Sequence, residues 1–180
     1  MDWLDEVREK MKRKNQVLFS KDSLLLQDLR LLVEGQSRRG LVLWALDLAE
    51  ETVAELEARY VGEDRPRQAL EAARLWAAGT IKMPLAKRAI LDCHGLAKEL
   101  CDPADIARCH AVGQACSVVH TPGHALGHPI YELTAQVRTY GLEHCQTPVE
   151  ARVQHYVDRL LFWQTQLPAY QGPWADFLCR

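Results

Sequence analysis

The chain has 180 residues with 22 basic and 24 acidic side chains, a formal net charge of -2, and so no clustered basic excess with which to hold nucleic acid. Its 48% hydrophobic and 26% charged residues are the balance of a globular protein, and its length suits one domain over residues 1–180, able to bury a core without disulfides or metals. No run approaches the roughly 18 apolar residues of a membrane span, and the charged start "MDWLDEVREK" lacks a secretion signal's apolar run, so no membrane partner is expected and the cytoplasm is the expected location.

In chain order the sequence reads as helix after helix, with no alternating, β-branched stretch of the kind a strand needs. Residues 2–14 space Trp3, Leu4, Val7 and Met11 three or four apart, which predicts an amphipathic helix whose basic cluster "REKMKRK" is its solvated face. Residues 22–34, "DSLLLQDLRLLVE", predict a leucine-rich helix that Gly35 stops. Trp3, Leu24, Leu25, Leu26 and Leu29 give these N-terminal helices (residues 1–35) more apolar surface than one face needs, which suggests a homodimer.

A long helix follows over 38–60, with Leu41, Trp44, Leu48, Thr52, Leu56 and Tyr60 near one face. "VGEDRPR" is a turn, with Pro66 in the first turn of a helix running to about Ala78 and ending at Gly79. Further helices are predicted over about 84–100, 103–119, 122–140 (ending at Gly141) and 148–166. Asp102 ahead of Pro103 marks one start, and Thr147, Pro148 and Glu150 form a capping-box pattern at another. The tail over 168–180, "PAYQGPWADFLCR", is expected to dock through Trp174, Phe177 and Leu178. Seven or eight helices with short connections predict an all-α fold, an antiparallel helical bundle or array.

The chemistry concentrates in "VVHTPGHALGHPIY", Val118 to Tyr131, where His120, His124 and His128 stand four apart. An HxxxH pair on one helix points both rings to one side, as zinc binding requires. Pro122 and Pro129 argue against one undisturbed helix, and Ala125 after His124 removes the zinc-protease form, which needs Glu there. Three readings stay open. His94, His120 and His124 could meet as an open three-histidine site for a transition metal such as zinc. Alternatively, Gly113, Ala115, Gly123, Ala125 and Gly127 let helices approach closely, with imidazoles filling gaps and bonding free carbonyls. The third is a polar pocket of His94, His120, His124 and Tyr131 for an unidentified ligand or partner. The prolines favour a bend between two close helices, with His120 capping one, His124 in the first turns of the next, and His128 in second rank.

The six cysteines form no CxxC pair and read as free thiols. Cys109, Gly113, Cys116 and His120 share a helical face that is expected to pack inward, and a cysteine nucleophile would need a partner from another helix, such as Cys116 with His94. No phosphate loop, nucleophile elbow or dinucleotide fingerprint is present, so no catalytic residue and no cofactor is assigned.

The run "EDRPRQALEAARLWAAGTIKMPLAKRAILDCHGLAKE" followed by "HAVGQACSVVHTPGHALGHPIYELTA" resembles the immunity-protein-five-like family of bacterial immunity proteins. The likeness is carried by Arg65-Pro66-Arg67, Ala69, Trp76 with Gly79, and His94 ahead of Ala97-Lys98. It continues through Gly113-Gln114-Ala115, His120-Thr121-Pro122, His124-Ala125 and Tyr131, and spans about 40–140. The resemblance implies an all-α fold and a protein toxin as partner, with toxin neutralisation by binding rather than catalysis. It supplies no catalytic residues.

Overall fold

Three of the helices begin at a residue whose side chain satisfies one of their first N–H groups. The computed structural model describes residues 2–180, so Met1 alone of the chain lies outside it. Eight helices run in order: α1 Trp3–Lys12, α2 Gln27–Glu34, α3 Arg38–Arg59, α4 Arg65–Ala77, α5 Met83–Leu96, α6 Pro103–Ser117, α7 Gly127–Tyr140 and α8 Gln146–Gln166. Short 3-10 turns lie at Leu24–Leu26, Pro122–His124, Leu167–Ala169 and Asp176–Leu178. No strand occurs among the described residues, and the fold is all-α as the periodicity implied.

Asp2 and Asp5 form a capping box on α1, Ser37 accepts from the Gly40 N–H of α3, and Asp102 accepts from the Ala104 N–H of α6. The basic cluster of α1 is a solvated face, with Arg8, Lys10 and Lys12 paired to Asp5, Glu6 and Glu9 along the same helix. Gly79 and Gly141 end α4 and α7 with φ of 79° and 73°, a conformation glycine adopts without steric cost.

Four expectations need correction. The helix over 22–34 splits, a 3-10 turn preceding α2. α5 stops at Leu96 rather than Leu100, α6 at Ser117 rather than residue 119, and α7 starts at Gly127 rather than residue 122, a 3-10 turn taking up Pro122–His124. α8 starts at Gln146, so Thr147 lies inside its first turn and makes no cap; Pro148 is tolerated there because first-turn N–H groups have no helical acceptor. The apolar excess near the N-terminus is mostly internal: Leu26 and Leu29 belong to the core, Trp3 and Leu25 pack against it, and only Leu24 of the five is exposed. The homodimer expected from these five residues is left without support.

The core is built around α6, which packs against α3, α4, α5 and α7. Its sequence explains why: "PADIARCHAVGQACS" is small or apolar on nearly every side, and a helix apolar all round must be enclosed. Cys93, Cys109 and Cys116 are fully buried, and burial pushes the Cys109 and Cys116 thiols up to about 12. The expected inward face of Cys109, Gly113 and Cys116 is therefore real, whereas His120 leaves it and is exposed.

The tail lies against α4 and α3. The Ala175 N–H donates to the Ala77 carbonyl at 2.7 Å, Leu178 is buried, and the Phe177 ring lies 6.0 Å from that of Trp76. Arg38 caps this contact from α3, its guanidinium 5.3 Å from the Phe177 ring centre.

Candidate functional site

α5, α6 and the connection from α6 to α7 enclose a half-open cavity of 300 Å³. Each side chain in it arrives for a local reason. α6 ends at Ser117, and Thr121-Pro122 cannot continue it, so the chain bends and re-enters through the Pro122–His124 turn before α7. The bend leaves His120 exposed and His124 half-buried. Thr121 accepts from the Gly123 N–H, so it is Thr121 that starts the turn.

His94 reaches the cavity from α5 and packs the Nε2 end of its ring against Gly113 of α6. A Cβ at Gly113 would collide with the imidazole, so glycine is what admits the ring. Gly127 does the same for Gln114, whose side chain occupies the space a Cβ would need. Gly123 meets only the Thr121 hydroxyl, at 3.7 Å, and has no such packing role.

The His94 Nδ1 stands 2.8 Å from the Nδ1 of His110 on α6. Two neutral rings can bond in this way only as opposite tautomers, one donating from Nδ1 and the other accepting there. Burial first, then the neighbouring His110 and His124, pushes the His94 pKa down to about 4. Burial also lowers His110 and His124. The His124 Nδ1 donates to the Gln114 Oε1 at 3.0 Å, which leaves its Nε2 as a bare acceptor. His120 makes no capping bond; its ring stacks on Trp76 with centres 6.1 Å apart.

Three of the four pocket residues expected from the sequence therefore share one cavity: His94, His120 and His124. Tyr131 does not. It lies behind the cavity with its ring 5.3 Å from that of His110, bordering two other hollows. The imidazoles pair with other side chains and with an aromatic ring, not with carbonyls as the close-packing reading held. As arranged, no three His, Cys, Asp or Glu side chains among the described residues converge as metal ligands. Cys116 makes no bond to His94, and the Cys93 thiol donates to the Cys109 carbonyl at 3.5 Å.

Sequence reasoning underused three residues here. Trp76 and Gln114 line the cavity and His110 bonds His94 from outside its lining, and their signal was only their place in the family-like motifs. It also placed His128 in second rank without seeing its partner. His128, four residues after His124, is fully buried in a separate cluster between α3, α7 and α8. Glu132, equally buried, accepts from Arg152 through Nε at 3.0 Å and Nη2 at 2.8 Å, from the Tyr156 hydroxyl at 2.5 Å and from Thr52 at 3.3 Å. Burial pushes this carboxyl up, but His128, Arg152 and Tyr156 outweigh it and hold it below the usual range. The His128 Nε2 meets Thr52 Oγ1 at 2.9 Å, and its Nδ1 has no partner. Burial holds His128 below its ordinary pKa.

Fold and site define an all-helical protein with a half-open histidine cavity, and no helix of the described residues is long and apolar enough to cross a membrane. The chain belongs to the Imm-5 like putative immunity protein family, whose sequence pattern matches residues 31–159. That match takes in all of α3 to α7 and most of α8, and so every residue of the cavity. No curated protein and no solved structure matches the chain.

Proposed function

We propose that the protein is a cytoplasmic immunity protein that neutralises a protein toxin by binding it in a stoichiometric complex. The family match over residues 31–159 is the observation that carries this reading. The burial of Cys93, Cys109 and Cys116 is in keeping with binding rather than nucleophilic catalysis, since a thiol raised by burial is a poor nucleophile at neutral pH. The test is co-expression with toxin domains from the same organism. Rescue of growth together with co-purification supports the reading, and neither rescue nor co-purification across those domains overturns it.

A second reading, a metal-binding helical protein, draws on His94, His120 and His124 lining one cavity. It requires nitrogens of the three imidazoles to converge on one point, which they do not do as arranged. Metal analysis of gently purified protein tests it: about one transition metal per chain supports it, and none, with histidine-to-alanine variants unaltered in stability, overturns it.

A further inference from the structure

We propose that the histidine cavity is a binding site for a carboxylate carried on a short apolar stem. The site is independent of the toxin reading, because a small acid can occupy it whether or not a toxin binds elsewhere.

Charge is the first reason. None of the residues lining the cavity is acidic, and Lys87 of α5 is its one fixed charge. Lys87 is exposed and joins no salt bridge among the described residues. The arginines of the adjoining α4 differ: Arg65, Arg67 and Arg74 are each held by glutamates, so their charge is already spent.

The second reason is unfilled hydrogen-bonding capacity. With Nδ1 engaged by His110, the His94 Nε2 is left without a protein partner, and so are both ring nitrogens of His120. Lys87 and imidazole N–H groups lining the same cavity, with His94 accepting at Nδ1 and protonated on Nε2, form a donor set for one carboxylate. A phosphate dianion would meet a single fixed cation, which is too little charge to hold it in a cavity whose other walls are apolar. His124 positions rather than donates, since its proton faces Gln114.

The third reason is the apolar part of the lining. Trp76 and Ile90 are buried, while Met83 is 41% and Leu91 55% exposed at the cavity edge. They offer an apolar surface for a stem, and 300 Å³ lies at the small end of ligand sites, which run from about 300 to 1,000 Å³. The same chemistry can come from a free organic acid or from a Glu side chain flanked by apolar residues on a partner.

Full-length protein titrated with hexanoate, hexylammonium and hexanamide tests the site, with binding read by calorimetry and by the imidazole NMR signals of His94, His120 and His124. Hexanoate should bind saturably and shift the His94 and His120 signals, whereas the amine should not. Lys87→Met should weaken hexanoate about tenfold, the loss of one charge-assisted hydrogen bond, and Lys98→Met, outside the cavity, should leave it unchanged. Equal binding of hexylammonium or hexanamide, full affinity in Lys87→Met, or unmoved His94 and His120 signals overturns the proposal. Acetyl-Leu-Glu-Leu-amide separates the sources: tighter, competing binding assigns the site to a partner's side chain, and weaker binding than hexanoate assigns it to a free acid.

Discussion

His124 and His128 are separated by one helical turn of sequence and sit in opposite worlds. Around His128 the protein closes a polar cluster completely: Glu132 takes bonds from Arg152, Tyr156 and Thr52, and the residues at its heart, His128, Glu132, Thr52 and Tyr156, have no access to solvent. Around His124 it leaves a cavity whose imidazoles keep nitrogen atoms without protein partners. The first cluster holds more chemistry per residue, with a carboxylate, a guanidinium, a phenol and an imidazole in contact. Yet it has no opening through which to use it. The comparison teaches that access together with unspent hydrogen-bonding capacity marks a site, whereas a dense set of titratable groups can serve only to fix how helices meet.

Variants can break this comparison, beginning with the largest effect. Glu132→Ala should destabilise the protein by about 3–5 kcal/mol in urea unfolding, because it strands the buried Arg152 charge and leaves Tyr156 and Thr52 without an acceptor. A loss under about 1 kcal/mol would mean the cluster is not a structural lock. Gly113→Ala should cost about 1–3 kcal/mol through overpacking against the His94 ring. Combining it with His94→Ala should recover much of that loss, and a strictly additive double variant would show that the two do not touch.

Acid should act next. His94 is depressed from 6.5 to about 4, so the unfolded chain binds its proton first as pH falls. The stability it contributes is complete above about pH 6.5 and is lost progressively down to about pH 4. His110, His124 and His128 are lowered as well and act in the same direction. Urea midpoints should therefore fall from pH 7.5 to pH 4.5, and His94→Gln should show a shallower fall; equal slopes would remove His94 from the account. The smallest effect belongs to His120→Ala. This exposed ring rests on Trp76, and its loss should change stability by no more than about 0.5 kcal/mol.

How much of this could be read beforehand follows from the range of each signal. Helices, their apolar faces and the Asp102 cap are local features, and local pattern located them well. Thr147 was misread because a capping motif states what could bond, not whether the preceding turn already leads into the helix; here Cys145 is the entry, with its thiol donating to Leu142 at 3.7 Å. That His94, His120 and His124 converge could be guessed from the proline bend. That Tyr131 lies behind the cavity could not, since the direction of a ring depends on the angle between α6 and α7. Glu132 carried one overlooked sign: an acid four residues after His128, embedded among Leu133, Thr134 and Ala135, falls on the inward side of its helix. Its partner Arg152 is 20 residues away on α8, beyond any spacing rule.

The docked tail has a consequence for anyone trimming the protein. Trp76 is held between His120 on one side and Phe177 on the other, and the Ala175–Ala77 bond fastens the second support. Phe177 lies outside the matched segment, which ends at residue 159. A minimal fragment cut to that segment would keep every cavity residue while removing the buttress behind one wall, along with part of α8 and the buried leucines at positions 18, 26, 29 and 178. The stretch of family likeness and the packed core thus end at different places in this chain, and fragments for binding work should be cut to the second.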